Sequence, residues 1–260
     1  MFIETRGHGP ALALIHGWAM HAGLFAPLAD RLADRYTLHL VDLPGHGRAR
    51  DDTTPLDPAT LASALVERVP DAVWLGWSLG GQFALRAALD HPDHVRGLVM
   101  VASSPRFVRD ENDWPHGVSS SLFGDFGDAL RRDFRGTLEG FLALEALGSA
   151  SAQDELRALR ARAFERGEPT PDALQQGLAL LDRLDLRGEL PDLRVPSLWL
   201  SGRRDRLVPS GAMPAAAALA PAARSVVIEG AGHAPFLGAT AEVAAEIDTF
   251  MQAVAAGQPA

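Results

Sequence analysis

Four short apolar runs near the start of the chain each end in turn-forming residues, and this pattern narrows the possible folds more than any other feature. Ala11-Leu-Ala-Leu-Ile15 leads into His16-Gly17, and Tyr36-Thr-Leu-His-Leu-Val41 into Asp42-Leu-Pro-Gly45. Ala72-Val-Trp-Leu-Gly-Trp77 stops at Ser78, and Gly97-Leu-Val-Met-Val-Ala102 at Ser103-Ser104-Pro105. Each run has the length and the flanking residues of a strand. Helical patterns lie between them, such as Phe25 to Leu32 and Gly81 to Leu89. Apolar strands alternating with helices imply a mostly parallel central sheet with helices covering both faces, an α/β class.

From Arg106 the pattern changes. No good strand is legible up to Leu190, where Arg-, Ala- and Leu-rich helical segments run from Phe126 to Gly148, Ser151 to Arg166 and Pro171 to Leu184. The strand pattern resumes at Val195 to Ser201 and Arg224 to Ile228, and a helix is expected over Ala241 to Val254. The organisation read from this is a core of residues 1–105 and 191–260, with a helical cap of residues 106–190 inserted between core strands. Residues 257–260 are expected to fray.

Composition removes several kinds of chemistry. Cys is absent, which excludes disulfides and thiolate zinc sites. None of the 24 basic residues is Lys, so a Schiff-base lysine is excluded and any anion must be held by guanidinium groups. The formal net charge of -9 argues against general nucleic-acid binding. No apolar run approaches the ~20 residues of a membrane span, and Met1 to Arg6 lacks the basic head and apolar stretch of a secretory signal. A cytoplasmic monomer without membrane contact is the expectation. His91-x-x-His94 has ligand spacing, but it lies at a helix end with no third ligand nearby, so no metal or other cofactor is expected.

The chemistry centres on Gly76-Trp-Ser-Leu-Gly80. A G-x-S-x-G between strand and helix makes a sharp turn that lifts the Ser78 hydroxyl clear of the sheet. A serine hydroxyl needs a general base, and that base needs an acid to fix its tautomer. Asp205 follows the Val195–Ser201 run, and His233 follows the Arg224–Ile228 run. In a parallel sheet all of these loops open at the carboxyl edge, where open α/β sheets build their sites. Ser78, Asp205 and His233 are therefore the expected nucleophile, orienting acid and base. The oxyanion donors are expected to be the backbone N–H groups of Leu79 and of Trp18, after His16-Gly17. His16 and His46 are read as structural. Trp18, Trp77 and Phe141 are candidate walls of an acyl pocket.

These residues resemble the α/β-hydrolase superfamily. Further segments are similar to the pimeloyl-[acyl-carrier protein] methyl ester esterases of biotin synthesis: Leu38–Gly45, Trp74–Gly81, Val101–Pro105, Asp113-Trp-Pro115, Phe141-Leu-Ala-Leu144 and His233-Ala-Pro-Phe236. The resemblance implies an α/β-hydrolase fold and hydrolysis of the methyl ester of a pimeloyl chain carried by acyl carrier protein. It also implies substrate contact by Trp18, Ser78, Leu79, Phe141, Leu142, Ala143, Leu144, Glu145 and His233. The family meets its acidic carrier with cap arginines; three of the four matching positions here are Gly136, Gly140 and Gln153, and only Arg157 is kept. Arg131 and Arg135 (spaced i, i+4) and Arg157 and Arg160 (spaced i, i+3) are the alternative docking pairs, each expected to share a helical face. The competing reading pairs these arginines with Asp128, Asp133, Asp154 and Glu155 as solvated surface.

Two other functions fit the same residues. One is a general small-ester esterase, lactonase or carbon–carbon bond hydrolase, because fold and triad leave the substrate open. The other is a ligand receptor that keeps the pocket and turns over negligibly.

Overall fold

The computed structural model describes residues 1–257; of the tail expected at 257–260, residues 258–260 lie outside the described residues. The chain forms β1 (Phe2–Gly7), β2 (Ala11–Ile15), α1 (Ala26–Leu32), β3 (Thr37–Asp42), α2 (Pro58–Val66), β4 (Ala72–Trp77), α3 (Leu79–Asp90) and β5 (Val95–Val101). It continues through α4 (Ser120–Arg132), α5 (Phe134–Ala146), α6 (Ala152–Arg162) and α7 (Pro171–Arg183). It then returns to the sheet with β6 (Ser197–Gly202), α8 (Ala212–Ala217), β7 (Ala223–Ile228), α9 (Pro235–Gly238) and α10 (Thr240–Ala255).

The seven strands stand in the order β1-β3-β2-β4-β5-β6-β7. β1 pairs antiparallel with β3, and every other pairing is parallel. No apolar run in the sequence marks β1. That strand is a half-exposed edge carrying Glu4 and Arg6, so it lacks the continuous apolar run of the buried strands.

Both faces of the sheet are covered. Along β5 side chains alternate between faces: Gly97 lies against Phe250 and Val254 of α10, while Met100 reaches Gly81 of α3. All six residues of β4 are buried, as a central strand between two helical layers requires.

Helices α4 to α7 occupy the stretch between β5 and β6 that the sequence marked as an insertion. The long segment expected from Phe126 to Gly148 is in fact two helices. Asp133 takes φ -147° and ψ 89°, and its carboxylate accepts the Gly136 N–H at 2.9 Å, so it ends α4 and caps α5. This corrects the docking expectation: Arg131 and Arg135 lie on different helices and do not share a face. Arg157 and Arg160 both lie on α6.

Candidate active site

Ser78 sits at φ +53° between β4 and α3, a backbone conformation that L-residues rarely adopt. The turn closes because its neighbours are small: a Cβ at Gly76 would collide with the backbone of Gly80 and Gly81, and one at Gly80 with the carbonyls of Ile15 and His16. Ser103, in the loop after β5, donates its hydroxyl to the Ser78 carbonyl at 2.6 Å and braces the turn from the other side.

The loops after β6 and β7 bring the other two residues to this point. His233 Nε2 lies 2.9 Å from Ser78 Oγ, and His233 Nδ1 lies 2.9 Å from Asp205 Oδ2. The other Asp205 oxygen accepts the N–H groups of Leu207 and Val208 at 2.8 and 2.9 Å. With Oδ1 filled by these backbone donors, Oδ2 accepts a hydrogen bond from the Nδ1–H of His233. That leaves Nε2 a free base facing the hydroxyl. The His233 backbone is held as well: Trp77 donates its indole N–H to the His233 carbonyl at 2.8 Å, and the Glu145 backbone carbonyl accepts the His233 N–H at 3.3 Å.

The oxyanion candidates lie beside the nucleophile. A Cβ built on Gly17 would be 3.1 Å from Ser78 Cβ, so the loop after β2 passes directly over the turn. Neither the Trp18 nor the Leu79 backbone N–H has a protein acceptor among the described residues. Leu79 opens α3, where the first N–H groups have no intrahelical partner and the helix dipole favours negative charge. His16 fixes the shape of the loop, bonding Gly17 O through Nδ1 at 2.8 Å and accepting the Leu43 N–H on Nε2 at 3.0 Å. Burial, reinforced by nearby His46, pushes its pKa down to about 3, so the ring stays neutral. His46, likewise buried, bonds Pro44 O at 2.9 Å.

A narrow apolar cavity opens onto Ser78. Its walls are Trp18 and Leu207 from the core and Phe107, Val118, Leu122, Phe123, Phe126, Phe141, Leu178 and Leu181 from the insertion. Phe141 meets the Trp18 ring edge-on at 4.7 Å, and Phe126 meets it at 5.9 Å. Ser78 is the one hydroxyl in this wall.

Two expectations change here. Trp77 does not wall the cavity; it packs against Phe236 at 4.9 Å and holds the His233 loop. Of the segment 141–145, Phe141 alone reaches the cavity, because successive helical residues turn by ~100° and five in a row cannot share a face. Leu142 is buried elsewhere, Ala143 is exposed, and Leu144 lines an open groove between α4 and α5. Glu145 is buried beside Asp205, with its Oε2 unpartnered. Burial first, and the Asp205 charge second, hold its carboxyl well above the usual carboxylate range.

The apolar walls on α7, Leu178 and Leu181, were missed in sequence although their i, i+3 spacing was legible. The four arginines expected to meet a carrier are exposed and already paired. Arg131 bonds Asp128; Arg157 meets Asp154 at 2.9 Å, Arg135 meets Glu168 at 2.6 Å and Arg160 meets Glu139 at 3.1 Å. Of the competing carboxylates, Asp133 is spent on its cap and Glu155 is buried, accepting the Ser149 and Ser151 hydroxyls. His94 bonds Val69 O at 2.8 Å, and no metal-holding cluster of three His, Asp or Glu occurs among the described residues. Among those residues no helix is long and apolar enough to cross a membrane.

The family profile for the alpha/beta hydrolase fold matches residues 10–240. A pimeloyl-[acyl-carrier protein] methyl ester esterase of Xanthomonas oryzae pv. oryzae is 58% identical over 254 residues, which is 98% of this chain and 100% of that protein. The chain belongs to the pimeloyl-[acyl-carrier protein] methyl ester esterase family. Another member, from Stenotrophomonas maltophilia, is 59% identical over 251 residues, 96% of each chain. As a member of this family the chain is a carboxylic ester hydrolase. Solved structures show the fold: an esterase from Exiguobacterium antarcticum superposes with a TM-score of 0.84 at 23% identity, covering 96% of this chain and 95% of its own. An enol-lactonase from Burkholderia xenovorans does so at 0.82 and 17% identity, covering 96% of each.

Proposed function

We propose that the chain hydrolyses the methyl ester of a pimeloyl group borne on acyl carrier protein, releasing methanol and free pimeloyl-[acyl-carrier protein] for biotin synthesis. The observation that carries the chemistry is the unbroken line of hydrogen bonds from Asp205 through His233 to Ser78 at the end of an apolar cavity. The substrate reading draws on the name carried by full-length relatives at 58% identity.

In this reading Ser78 Oγ attacks the ester carbonyl carbon while His233 Nε2 takes its proton. The carbonyl oxygen becomes an oxyanion held by the Trp18 and Leu79 N–H groups. Asp205 keeps the imidazolium oriented and does not itself take the proton. The tetrahedral intermediate breaks its bond to the methoxy oxygen, His233 returns the proton to that oxygen, and methanol leaves an acyl-Ser78 ester. Water then attacks with His233 again as base, regenerating the Ser78 hydroxyl and freeing the carboxylate. The apolar walls fit the methylene chain, and the carboxylate product gains charge that an apolar wall does not favour, which helps release.

Docking of the acidic carrier on Arg131, Arg135, Arg157 and Arg160 is part of the proposal, with carrier carboxylates displacing the exposed partners these arginines now hold. Exposed ion pairs are worth only about 0–1 kcal/mol, so the exchange is open. The direct test is the purified chain with methyl-pimeloyl carrier protein, read by mass loss of the methyl group. The same gene should restore biotin-free growth to a strain lacking its own pimeloyl-ester esterase. No demethylation and no rescue would refute the substrate.

A further inference from the structure

We infer that helix α7 clamps the oxyanion loop, with Gly177 as a positioning residue that lets the helix seat against both oxyanion residues at once. The inference rests on the reading of the Trp18 and Leu79 N–H groups as oxyanion donors.

Trp18 is almost wholly buried, and its indole N–H donates to the Leu174 carbonyl at 2.9 Å, a bond that spans from core to insertion. One turn later, Gly177 presents no side chain where the indole lies. A Cβ there would stand 2.6 Å from Trp18 Cδ1 and 3.1 Å from Leu79 Cδ2. Residues 174 and 177 are spaced i, i+3 and share one face of the helix. That face therefore touches both residues whose backbone N–H groups flank the reacting oxygen. Phe141 packs against the indole, so the ring cannot simply tilt away from an added methyl.

Two further observations point the same way. Glycine is the weakest helix former after proline, yet it sits in the middle of a thirteen-residue helix at ordinary helical geometry. Close approach is what it provides there. Ala19, directly after Trp18, is held at φ +64°, a conformation the loop does not hold unless the surrounding structure imposes it. His16 supplies that constraint from below and α7 from above. A catalytic group misplaced by ~1 Å loses rate while ground-state binding is largely kept.

The test is Gly177→Ala assayed on p-nitrophenyl butyrate, a small ester that needs no carrier. We expect kcat to fall about 10-fold or more with KM within about 3-fold, since loss of one oxyanion donor costs ~10²–10³ in kcat. Trp18→Phe keeps the backbone N–H but lacks the indole tether, so it too should lower kcat. In that background Gly177→Ala should cost clearly less than it does in wild type, because the indole tether it would strain is already absent, although a ring carbon and Leu79 Cδ2 still face the methyl. A second readout is the affinity for trifluoro-2-heptanone, followed by fluorine NMR; Ser78 Oγ adds to its carbonyl carbon, the proton passes to His233, and the ketone oxygen becomes an alkoxide in the oxyanion hole. Trp18→Phe should weaken this adduct about 10-fold more than it weakens heptanoate, and that ratio, which cancels the change in the cavity wall common to both, decides the matter even if Gly177→Ala fails to fold. An equal loss from Gly177→Ala in both backgrounds, or wild-type kcat and adduct affinity in Trp18→Phe, overturns the inference alone. If wild type and Ser78→Ala bind the ketone alike, the oxyanion reading itself falls.

Discussion

At the carboxyl edge of the sheet the charged side chains are buried and bonded across long stretches of sequence; on the outer face of the cap they are exposed and several are bonded to near neighbours. The side chains of His233 and Asp205 are 1% and 0% exposed. Arg131 and Arg157 are 60% and 77% exposed, each bonded to a carboxylate three residues away. The first arrangement is held by five strand-end loops at fixed places in the sheet register. The second is held by helix periodicity and solvent. Removing one partner at the edge leaves a buried group without its complement, whereas removing one on the cap returns its partner to water. Chemistry should therefore respond sharply to the edge and encounter should respond to the cap, with little crossing between them.

The largest effect expected from this contrast is at the edge. Ser78→Ala and His233→Ala should each lower ester hydrolysis by about 10⁴–10⁶, and the double variant should be scarcely slower than either, because the residues act as a unit. Steady-state rates on a small chromogenic ester measure it; a Ser78→Ala enzyme keeping a tenth of the rate breaks the assignment.

The cap should give a smaller and more selective effect. Replacing Arg131, Arg135, Arg157 and Arg160 together by Ala should lower kcat/KM for the carrier-borne ester by about 10-fold or more at low salt, through slower encounter with an acidic partner. Hydrolysis of a neutral small ester should barely change. Raising salt to about 1 M, where the Debye length is ~3 Å, should erase the difference between wild type and variant. An equal salt response from both substrates, or a quadruple variant matching wild type on both, removes the docking surface.

The smallest effect lies where the two regions meet. Glu145 comes from the insertion but is buried beside Asp205, and its raised pKa means the folded state disfavours the ionised form. The unfolded chain releases this proton at lower pH than the folded one, so stability falls as pH rises above the ordinary carboxylate range near 4.5. Glu145→Gln keeps the shape and removes that liability. Its Tm should exceed that of wild type by a few degrees at pH 8, about 1–2 kcal/mol at this chain length, and the gap should close toward pH 4. A gap independent of pH would mean the carboxyl is not held neutral by burial.

The same contrast governs what was legible in the sequence. Ser78, Asp205 and His233 could be read because each follows an apolar run and parallel strands bring such ends to one edge. The elbow glycines carried their own steric signature. The cap was harder. The break at Asp133 was hidden because Arg131 to Arg135 keeps a helical pattern of charge, and the Asp133–Gly136 cap is a short-range signal within it. Trp77 stood among the candidate walls because a strand buried on both faces gives no clue to which face a side chain takes. The family's contiguous substrate segment 141–145 likewise dissolves on a helix, which turns Ala143 to solvent.

The central claim is that the buried edge forms an acyl-enzyme on Ser78. Rapid acid quench of the enzyme with p-nitrophenyl butyrate, followed by intact mass and peptide mapping, tests it directly. The account expects a burst of nitrophenol and one butyryl group on the peptide carrying Ser78, absent in Ser78→Ala. Turnover with no adduct on that peptide, or an adduct on another residue at the same rate, would contradict it.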